Sequence, residues 1–573
     1  MAAAEQLITE NLDIWASAVQ AKSAAGRGNA NKLELYGIKK LRELILELAV
    51  RGLLVPQDPN DEPASELLKK ITVEKAQLVK DKKIKKPKAL PAIEGNKKPF
   101  DLPQGWVWVS LGDVGYTQTG GTPKKADTHH YGQFMPFIKP GDIDEGRVLS
   151  YLNDGLSEEG AQSLDRVAPE DSVLMVCIGT IGKCARVDRN VAFNQQINSV
   201  TPYVRIGDYL LRALQAQYFQ TLAWEASSST TLSILNKGKW EKLPVPLAPI
   251  AEQARIVAKV DELMVLCDQL EQQQETSITA HQTLVQTLLD ALTTASDRDG
   301  FTTAWARVAD HFDTLFSTEW SIDQLKQTIL QLAVMGKLVP QDPSDEPASE
   351  LLKKIAAEKA QLVKDGKIKK QKALPAIGDV EKPFELPDGW ELVRFGNLIN
   401  LVSGQHLKPA EYSETFEEDM IPYLTGPAEF GEKYPEATRY TLERRAMANT
   451  GDLLITCKGS GVGKLNEANQ RIFISRQLMA IQPIVISSNF LMLLAKSLNE
   501  HLRANIVGIA IPGISREDVT DAVIWLPPES EQTRIFAKVD ELMALCDTLK
   551  GNIIAAQTTQ LHLADVMADR AVA

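Results

Sequence analysis

Two stretches of this chain have nearly the same sequence, and the repeat limits the folds that the chain can adopt. Residues 41–106 and 325–390 are identical at 49 of 66 aligned positions, and each copy ends in Leu-Pro-x-Gly-Trp. A second repeat begins at Glu252 and at Glu531, with the sequences EQARIVAKVDELMVLCDQL and EQTRIFAKVDELMALCDTL. The order is scaffold, insert, helix, twice over. Two copies indicate a pseudo-dimer on one chain, because a solenoid needs about three repeats or more.

The first repeat has apolar residues at helical spacing after a start signal. Asp61 and Pro63 stand where a helix cap and a first-turn proline belong. We therefore predict a helix that runs to about Val79.

The second repeat has the spacing of a coiled-coil seam. Apolar side chains alternate at four- and three-residue steps from Ile256 and from Ile535. The alternative is a helix that packs only within its own domain. Because the stripe occurs at both equivalent places, we predict two long antiparallel helices over about 250–292 and 530–568.

The inserts, residues 107–245 and 391–528, have similar lengths but share few residues outside short islands. Both contain short strand-like runs, such as SVLMVCIG and DLLITCKG. The repeated segments that flank the inserts are therefore alike, whereas the sequences of the two inserts differ.

Composition limits the compartment and the partners. The 573 residues contain 44% hydrophobic and 24% charged residues, as in ordinary globular proteins. We find no secretory leader and no run of about 18 apolar residues, so we expect a cytoplasmic protein without a membrane partner. The net charge of -12 argues against a chain uniformly coated for nucleic acid, so any DNA surface must be local. The five cysteines form no CxxC pair, and we expect buried thiols.

One shared island predicts a strand, a glycine turn and a lysine. It reads SVLMVCIGTIGK in the first insert and LLITCKGSGVGK in the second. A nucleotide-binding phosphate loop is rejected, because Lys458 replaces its first glycine and Leu465 follows its lysine. We interpret the island as a tight turn that lets Lys183 or Lys464 approach a DNA phosphate.

Other side chains of the inserts suit DNA contact, because Lys and Arg pair with phosphates and guanine edges and Gln pairs with adenine edges. For each one, a solvated surface side chain is the alternative. The basic runs at 79–88 and 363–372 either grip flanking phosphates or form solvated linkers. The further candidates are Lys124, Lys125, Lys139, Gln195, Gln196, Lys237 and Lys239 in the first insert, and Lys408, Lys458, Arg476, Gln477 and Arg516 in the second.

We find no catalytic or metal-binding pattern. The string closest to an adenine methyltransferase motif, LPPES at 526–530, lacks the required residues. His129 and His130 form a lone pair in a polar loop, and the remaining histidines show no metal-ligand spacing with Cys, so we interpret them as surface histidines.

This chain resembles the specificity subunits of type I restriction-modification enzymes. The resemblance lies in the segment order, the LAVxGxLVPQ scaffold, the LPxGW segments, the glycine turns and above all the two EQxRI helix starts. The resemblance covers the chain from about Leu41. It implies an α/β fold with two target recognition domains separated by two long antiparallel helices. The implied segments are an N-terminal helical region at 1–102, recognition domains at 103–248 and 387–528, a central helical region at 249–386 and a C-terminal helix at 529–573.

The resemblance also implies a division of labour. Each recognition domain reads one half of a split, asymmetric site in double-stranded DNA, and the helical repeats set the spacing. The implied partners are two methyltransferase subunits and translocating restriction subunits. The methyltransferase subunits use S-adenosylmethionine to methylate adenine, and the restriction subunits use ATP and Mg²⁺. This chain is expected to be non-catalytic and to hold no cofactor. The rival hypotheses are a modification enzyme with an unrecognised active site and a coiled-coil adaptor that binds only protein.

Overall fold

The computed structural model divides the chain into two compact units. Unit 1 comprises Met1–Ile278 and Ala555–Ala573, and unit 2 comprises Thr279–Ile554. Each unit contains one scaffold copy, one insert and parts of both long helices. The five predicted segments are a finer division and stay a prediction. The described residues are 2–21, 33–95, 98–124, 127–143, 149–151, 153–164, 166–228, 233–378, 381, 386–459, 461–504 and 513–572.

Both units mix helices and strands. The first part of the chain contains α1 (Ala2–Thr9), α2 (Leu12–Ser17), β1 (Gln20–Ala21), β2 (Leu33–Glu34), α3 (Tyr36–Val50), α4 (Ala64–Lys80), β3 (Val107–Ser110), α5 (Leu111–Val114), β4 (Gly115–Thr119), β5 (Tyr131–Ile138), β6 (Gly155–Leu156), α6 (Glu158–Leu164), β7 (Val167–Ala168), β8 (Val173–Val176), β9 (Cys184–Arg186), β10 (Val191–Phe193), β11 (Ile197–Pro202), α7 (Gly207–Gln215), α8 (Gln217–Ala226), α9 (Lys237–Trp240), β12 (Pro244–Leu247) and α10 (Ile250–Thr294). The second part contains α11 (Arg298–Asp310), α12 (Phe312–Leu315), α13 (Glu319–Val334), α14 (Ala348–Lys364), β13 (Glu391–Arg394), α15 (Phe395–Leu398), β14 (Ile399–Ser403), β15 (Ile421–Leu424), β16 (Arg439–Thr441), β17 (Met447–Ala448), β18 (Leu453–Thr456), β19 (Leu465–Glu467), β20 (Ile472–Ile474), β21 (Leu478–Pro483), α16 (Ser488–Ala504), α17 (Arg516–Thr520), β22 (Val523–Leu526) and α18 (Glu529–Val572).

Helix α4 confirms the predicted scaffold helix but corrects its start signal. Pro63 precedes the helix with extended backbone (φ -60°, ψ 150°) instead of occupying its first turn. Asp61 does not cap the helix, whose N-cap position is Pro63. The Asp61 carboxylate forms an ion pair with Arg255 (2.6 Å). Asp345 pairs in the same way with Arg534 (2.6 Å) in the second copy.

Each insert folds into two four-stranded sheets closed by a strand pair. In the first insert the orders are β4-β11-β8-β9, antiparallel throughout, and β6-β5-β10-β7, in which β5 and β10 are parallel. In the second insert the orders are β14-β21-β18-β19 and β16-β15-β20-β17, with β15 and β20 parallel. The pairs β3–β12 and β13–β22 join the two ends of each insert. The inserts therefore share one topology although their sequences differ.

The apolar strand of the shared island lies inside each insert. All four residues of β8 are buried, and side chains that alternate along the strand join two different clusters. Val173 and Met175 pack toward the helices, whereas Leu174 and Val176 pack with Phe193 of the other sheet. Both faces of this strand are covered, which explains its continuous apolar run.

The long helices confirm the predicted elements and extend slightly beyond them. Ile256, from the first part of α10, and Ala564, from the last part of α18, belong to one buried cluster in unit 1. Leu289, from the last part of α10, and Ile535, from the first part of α18, belong to one cluster in unit 2. In each unit the start of one helix thus lies with the end of the other, as antiparallel helices require. No helix in the described ranges has the length and apolar character that a membrane span needs.

Candidate nucleic-acid interface

Two parallel strands of the first insert end side by side, and a polar turn follows them. The N–H of Asn194, directly after β10, donates to the carbonyl of Ile138 at the end of β5 (3.0 Å). The Asn194 side-chain oxygen accepts the N–H of Gln196 (3.0 Å), which leaves Gln195 exposed at the tip of the turn. Lys139, the first residue after β5, lies beside this turn.

Backbone hydrogen bonds bring three further loops to the same place. The N–H of Gly121 donates to the carbonyl of Phe193 (2.9 Å). The N–H of Cys177 donates to the carbonyl of Gln196 (2.8 Å), and the N–H of Leu235 donates to the carbonyl of Cys177 (2.8 Å). We define the first loop cluster as residues 120–124, 177–183, 194–196 and 233–239.

The first loop cluster unites most of the residues predicted from this insert. Lys125 lies outside the described residues. The predicted residues that meet here are Lys124, Gln195 and Lys239, which are exposed, and Lys183, Gln196 and Lys237, which are partly buried.

Several cations of this region are occupied by contacts within the protein. The ammonium of Lys139 forms an ion pair with Asp154 (2.6 Å), and that of Lys237 forms one with Glu241 (2.9 Å). Burial raises the pKa of Glu241, but the hydrogen bond from Lys237 helps to bring that pKa below its usual value. The carboxylate is therefore charged at neutral pH and holds its lysine. The ammonium of Lys239 donates to a backbone carbonyl (2.9 Å).

The second insert builds an equivalent turn from different side chains. The N–H of Ser475 donates to the carbonyl of Leu424 at the end of β15 (2.9 Å). The Ser475 hydroxyl accepts the N–H of Gln477 (3.2 Å), as Asn194 accepts that of Gln196. Arg476 is exposed at the tip.

The neighbouring loops converge as they do in the first insert. The N–H of Cys457 donates to the carbonyl of Gln477 (2.7 Å), and the N–H of Ile514 donates to the carbonyl of Cys457 (2.9 Å). The N–H of Gly404 donates to the carbonyl of Leu478 (3.0 Å). We define the second loop cluster as residues 403–408, 457–464, 475–477 and 513–516, of which residue 460 lies outside the described ranges.

The second loop cluster contains every residue predicted from its insert, and all are exposed. Among the residues that the structure describes, no carboxylate lies within ion-pair distance of Lys458, Lys464 or Arg476. Arg516 donates to the neutral hydroxyl of Ser403 (3.2 Å). The predicted residues are Lys408, Lys458, Lys464, Arg476, Gln477 and Arg516.

The glycine turns are hairpin connections. Gly182 and Gly463 have φ of +108° and +83°, conformations that favour glycine, and each directly precedes the predicted lysine. The turns lead from β8 to β9 and from β18 to β19, whereas a nucleotide-binding loop leads into a helix. Contact of Lys183 and Lys464 with phosphate stays a prediction.

Sequence analysis missed the residues that hold the turns. Aligning FNQQ with ISRQ could have identified Asn194 and Ser475, because both side chains accept the N–H two residues later. Thr122, which donates to Gln195, and Arg166, which donates to the Gly120 carbonyl (2.7 Å), give no such signal.

One group among the described residues could hold a metal ion. His129, His130 and Glu159 place their ligand atoms within 4.8 Å of one another. The sequence predicted a lone histidine pair, and Glu159, which lies far from the histidines in sequence, was not anticipated. The five cysteines are buried and free, as expected, and burial raises the pKa of the Cys177 thiol to about 12. A buried thiol with that pKa is protonated at neutral pH, the form of cysteine that reacts poorly as a nucleophile.

The motifs of the two repeats join each insert to a long helix. The indole N–H of Trp106 donates to Glu252 (2.9 Å), and that of Trp390 donates to Glu531 (2.9 Å). Burial raises the pKa of both carboxyl groups. The LPxGW and EQxRI segments therefore contact each other through a buried Trp–Glu hydrogen bond, which occurs once in each unit.

Comparison with known proteins identifies the family. The family described as type I restriction modification DNA specificity domain matches residues 103–280 and 387–556. The chain is 41% identical over 600 residues to the type I restriction enzyme EcoEI specificity subunit of Escherichia coli, over 100% of both chains. It is 41% identical over 604 residues to the EcoAI specificity subunit of Escherichia coli, over 99% of both chains.

One solved structure supports the fold. It is described as "Structural basis underlying complex assembly and conformational transition of the type I R-M system", and one of its chains matches with a TM-score of 0.51 and 20% identity. The match covers 83% of this chain and 99% of that one. This chain belongs to the family of type I restriction-modification specificity subunits.

Proposed function

We propose that each insert reads one half of a bipartite, asymmetric DNA site through its loop cluster. Members of this family determine the DNA target of a restriction-modification complex and are not themselves catalytic. The observation that carries the proposal is that the two loop clusters share their backbone hydrogen bonds but have different exposed side chains at the turn. Cys177 and Cys457 make the same bond to the residue after the tip, yet the tips are Gln195 and Arg476. Gln suits adenine edges and Arg suits guanine edges, so the half-sites differ.

The partners follow from the family. Two methyltransferase subunits bind the helical repeats and use S-adenosylmethionine to methylate adenine in the chosen site. Restriction subunits join for cleavage and use ATP and Mg²⁺. Two relatives that are 41% identical to this chain are specificity subunits of restriction enzymes, which supports this assignment. The chain itself holds none of these cofactors in this proposal.

An exchange of inserts tests the proposal. Residues 107–245 are replaced by the corresponding insert of another family member, and the variant is assembled with its methyltransferase partner on genomic DNA. Sequencing of methylated adenines should show one changed half-site and one unchanged half-site. The matched exchange of residues 391–528 should change the other half. A change in both halves by either exchange contradicts modular recognition.

A further inference from the structure

We propose that the second loop cluster provides the larger share of the salt-dependent grip on DNA phosphates, and that the first loop cluster provides the smaller share. This inference rests on the proposed function and divides its labour between the two inserts. Nothing in the proposed function requires the division, because two inserts of one topology could grip DNA equally.

Two lysines of the first insert are held in ion pairs within the protein. Lys139 and Lys237 form ion pairs with Asp154 and Glu241 (2.6 and 2.9 Å). Lys237 also donates to the hydroxyl of Thr117 (3.3 Å). A phosphate that approaches either lysine meets a pair with no net charge, and it must break that pair to gain a full contact.

The cations of the second insert are exposed and unneutralised. In the described part of the chain, Lys458, Lys464 and Arg476 have no carboxylate within ion-pair distance. Lys458 and Lys464 lie on one loop, and Arg476 lies on another. A hydrogen bond from the Cys457 N–H to the Gln477 carbonyl (2.7 Å) joins these two loops. Three unpaired positive charges on adjoining loops form a local site for the polyanionic backbone.

The contrast occurs at equivalent positions. The residue after Cys177 is Ile178, and the residue after Cys457 is Lys458. At the turn tips, Gln195 corresponds to Arg476. The second copy thus has a cation at two positions where the first copy has an uncharged side chain.

Salt dependence measures the division directly, because each phosphate contact releases counterions and adds about 0.9 to the slope of log affinity against log salt concentration. The protein is assembled with its methyltransferase partner, and binding to a duplex of random sequence is measured by fluorescence anisotropy across salt concentrations. The triple variant K458A/K464A/R476A should lower the steepness of the slope by about 2 to 3. Charge-conserving K458R/K464R/R476K should keep the slope.

The matched variant removes three cations from the first insert. K139A/K237A/K239A should lower the steepness by about 1 or less, because Lys139 and Lys237 are held in ion pairs and only Lys239 keeps an unneutralised charge. Equal or larger loss in this variant overturns the division of labour and leaves DNA recognition intact. If neither alanine triple changes the slope, this inference is overturned, whereas the proposed function is still tested separately by the exchange of inserts. Thermal unfolding of each variant verifies that the fold is retained.

Discussion

Lys75 and Lys359 occupy equivalent positions in the two scaffold copies but have different partners. Lys75 forms an ion pair with Asp113 (3.4 Å). The residue that corresponds to Asp113 is Asn397, and Lys359 instead donates to the carbonyls of Gly396 (2.6 Å) and Ile399 (2.9 Å). Burial without a neighbouring carboxylate lowers the pKa of Lys359 to about 8.

This difference predicts a pH effect on stability. Between about pH 8 and 10.5 the unfolded chain binds a proton at Lys359 that the folded chain has released, so this lysine makes stability rise with pH across that window. K359M removes the titrating group. Urea unfolding at several pH values should show a smaller rise, or a steeper fall, for K359M than for the wild type.

The matched control is K75M in the other copy. Lys359 is intact in that variant, so its contribution to the pH dependence should persist. Identical pH profiles for K359M and the wild type would contradict the lowered pKa.

At the scale of elements, the helices could be predicted and the sheets could not. The seam that starts at Ile256 is local in sequence, so its period of three and four residues is readable directly. The sheets depend on pairings such as β4 with β11 and β5 with β10, which join distant segments. The loop clusters follow from those pairings, so the sequence predicted residue types such as Gln195 but not their convergence.

The two seams match in sequence but are not equally buried. Leu263 of α10 is 3% exposed, whereas its counterpart Leu542 of α18 is only partly buried. L263A should lower the free energy of unfolding by about 2 to 4 kcal/mol, and L542A should lower it by clearly less. Urea unfolding of the full chain measures both. Equal losses would show that burial does not distinguish the seams.

One ion-pair site between scaffold and long helix differs in polarity between the two units, whereas the equivalent pairs Arg42–Asp268 and Lys326–Asp547 keep the same polarity. In unit 1, Arg42 of α3 pairs with Glu271 of α10 (2.7 Å). In unit 2, Asp323 of α13 pairs with Lys550 of α18 (2.8 Å).

At the scale of the whole molecule, an acidic protein is compatible with DNA binding when its exposed cations are concentrated. The net charge is -12, yet Lys458, Lys464 and Arg476 lie on adjoining loops of one insert. Counterion release depends on local contacts with phosphate and not on total charge.

The chain alone should not catalyse methyl transfer. The string that comes nearest to an adenine methyltransferase motif, LPPES, connects β22 to α18. There the carbonyl of Pro527 accepts the side-chain amide of Gln532 (2.9 Å), and the carbonyl of Pro528 accepts the backbone N–H of Gln532 (3.0 Å). These bonds make the segment a helix-start turn whose polar atoms are engaged. The purified chain with DNA and labelled S-adenosylmethionine should therefore transfer no methyl group, and addition of the methyltransferase partner should start transfer. Label on DNA without the partner would mean that this chain contains an active site of its own.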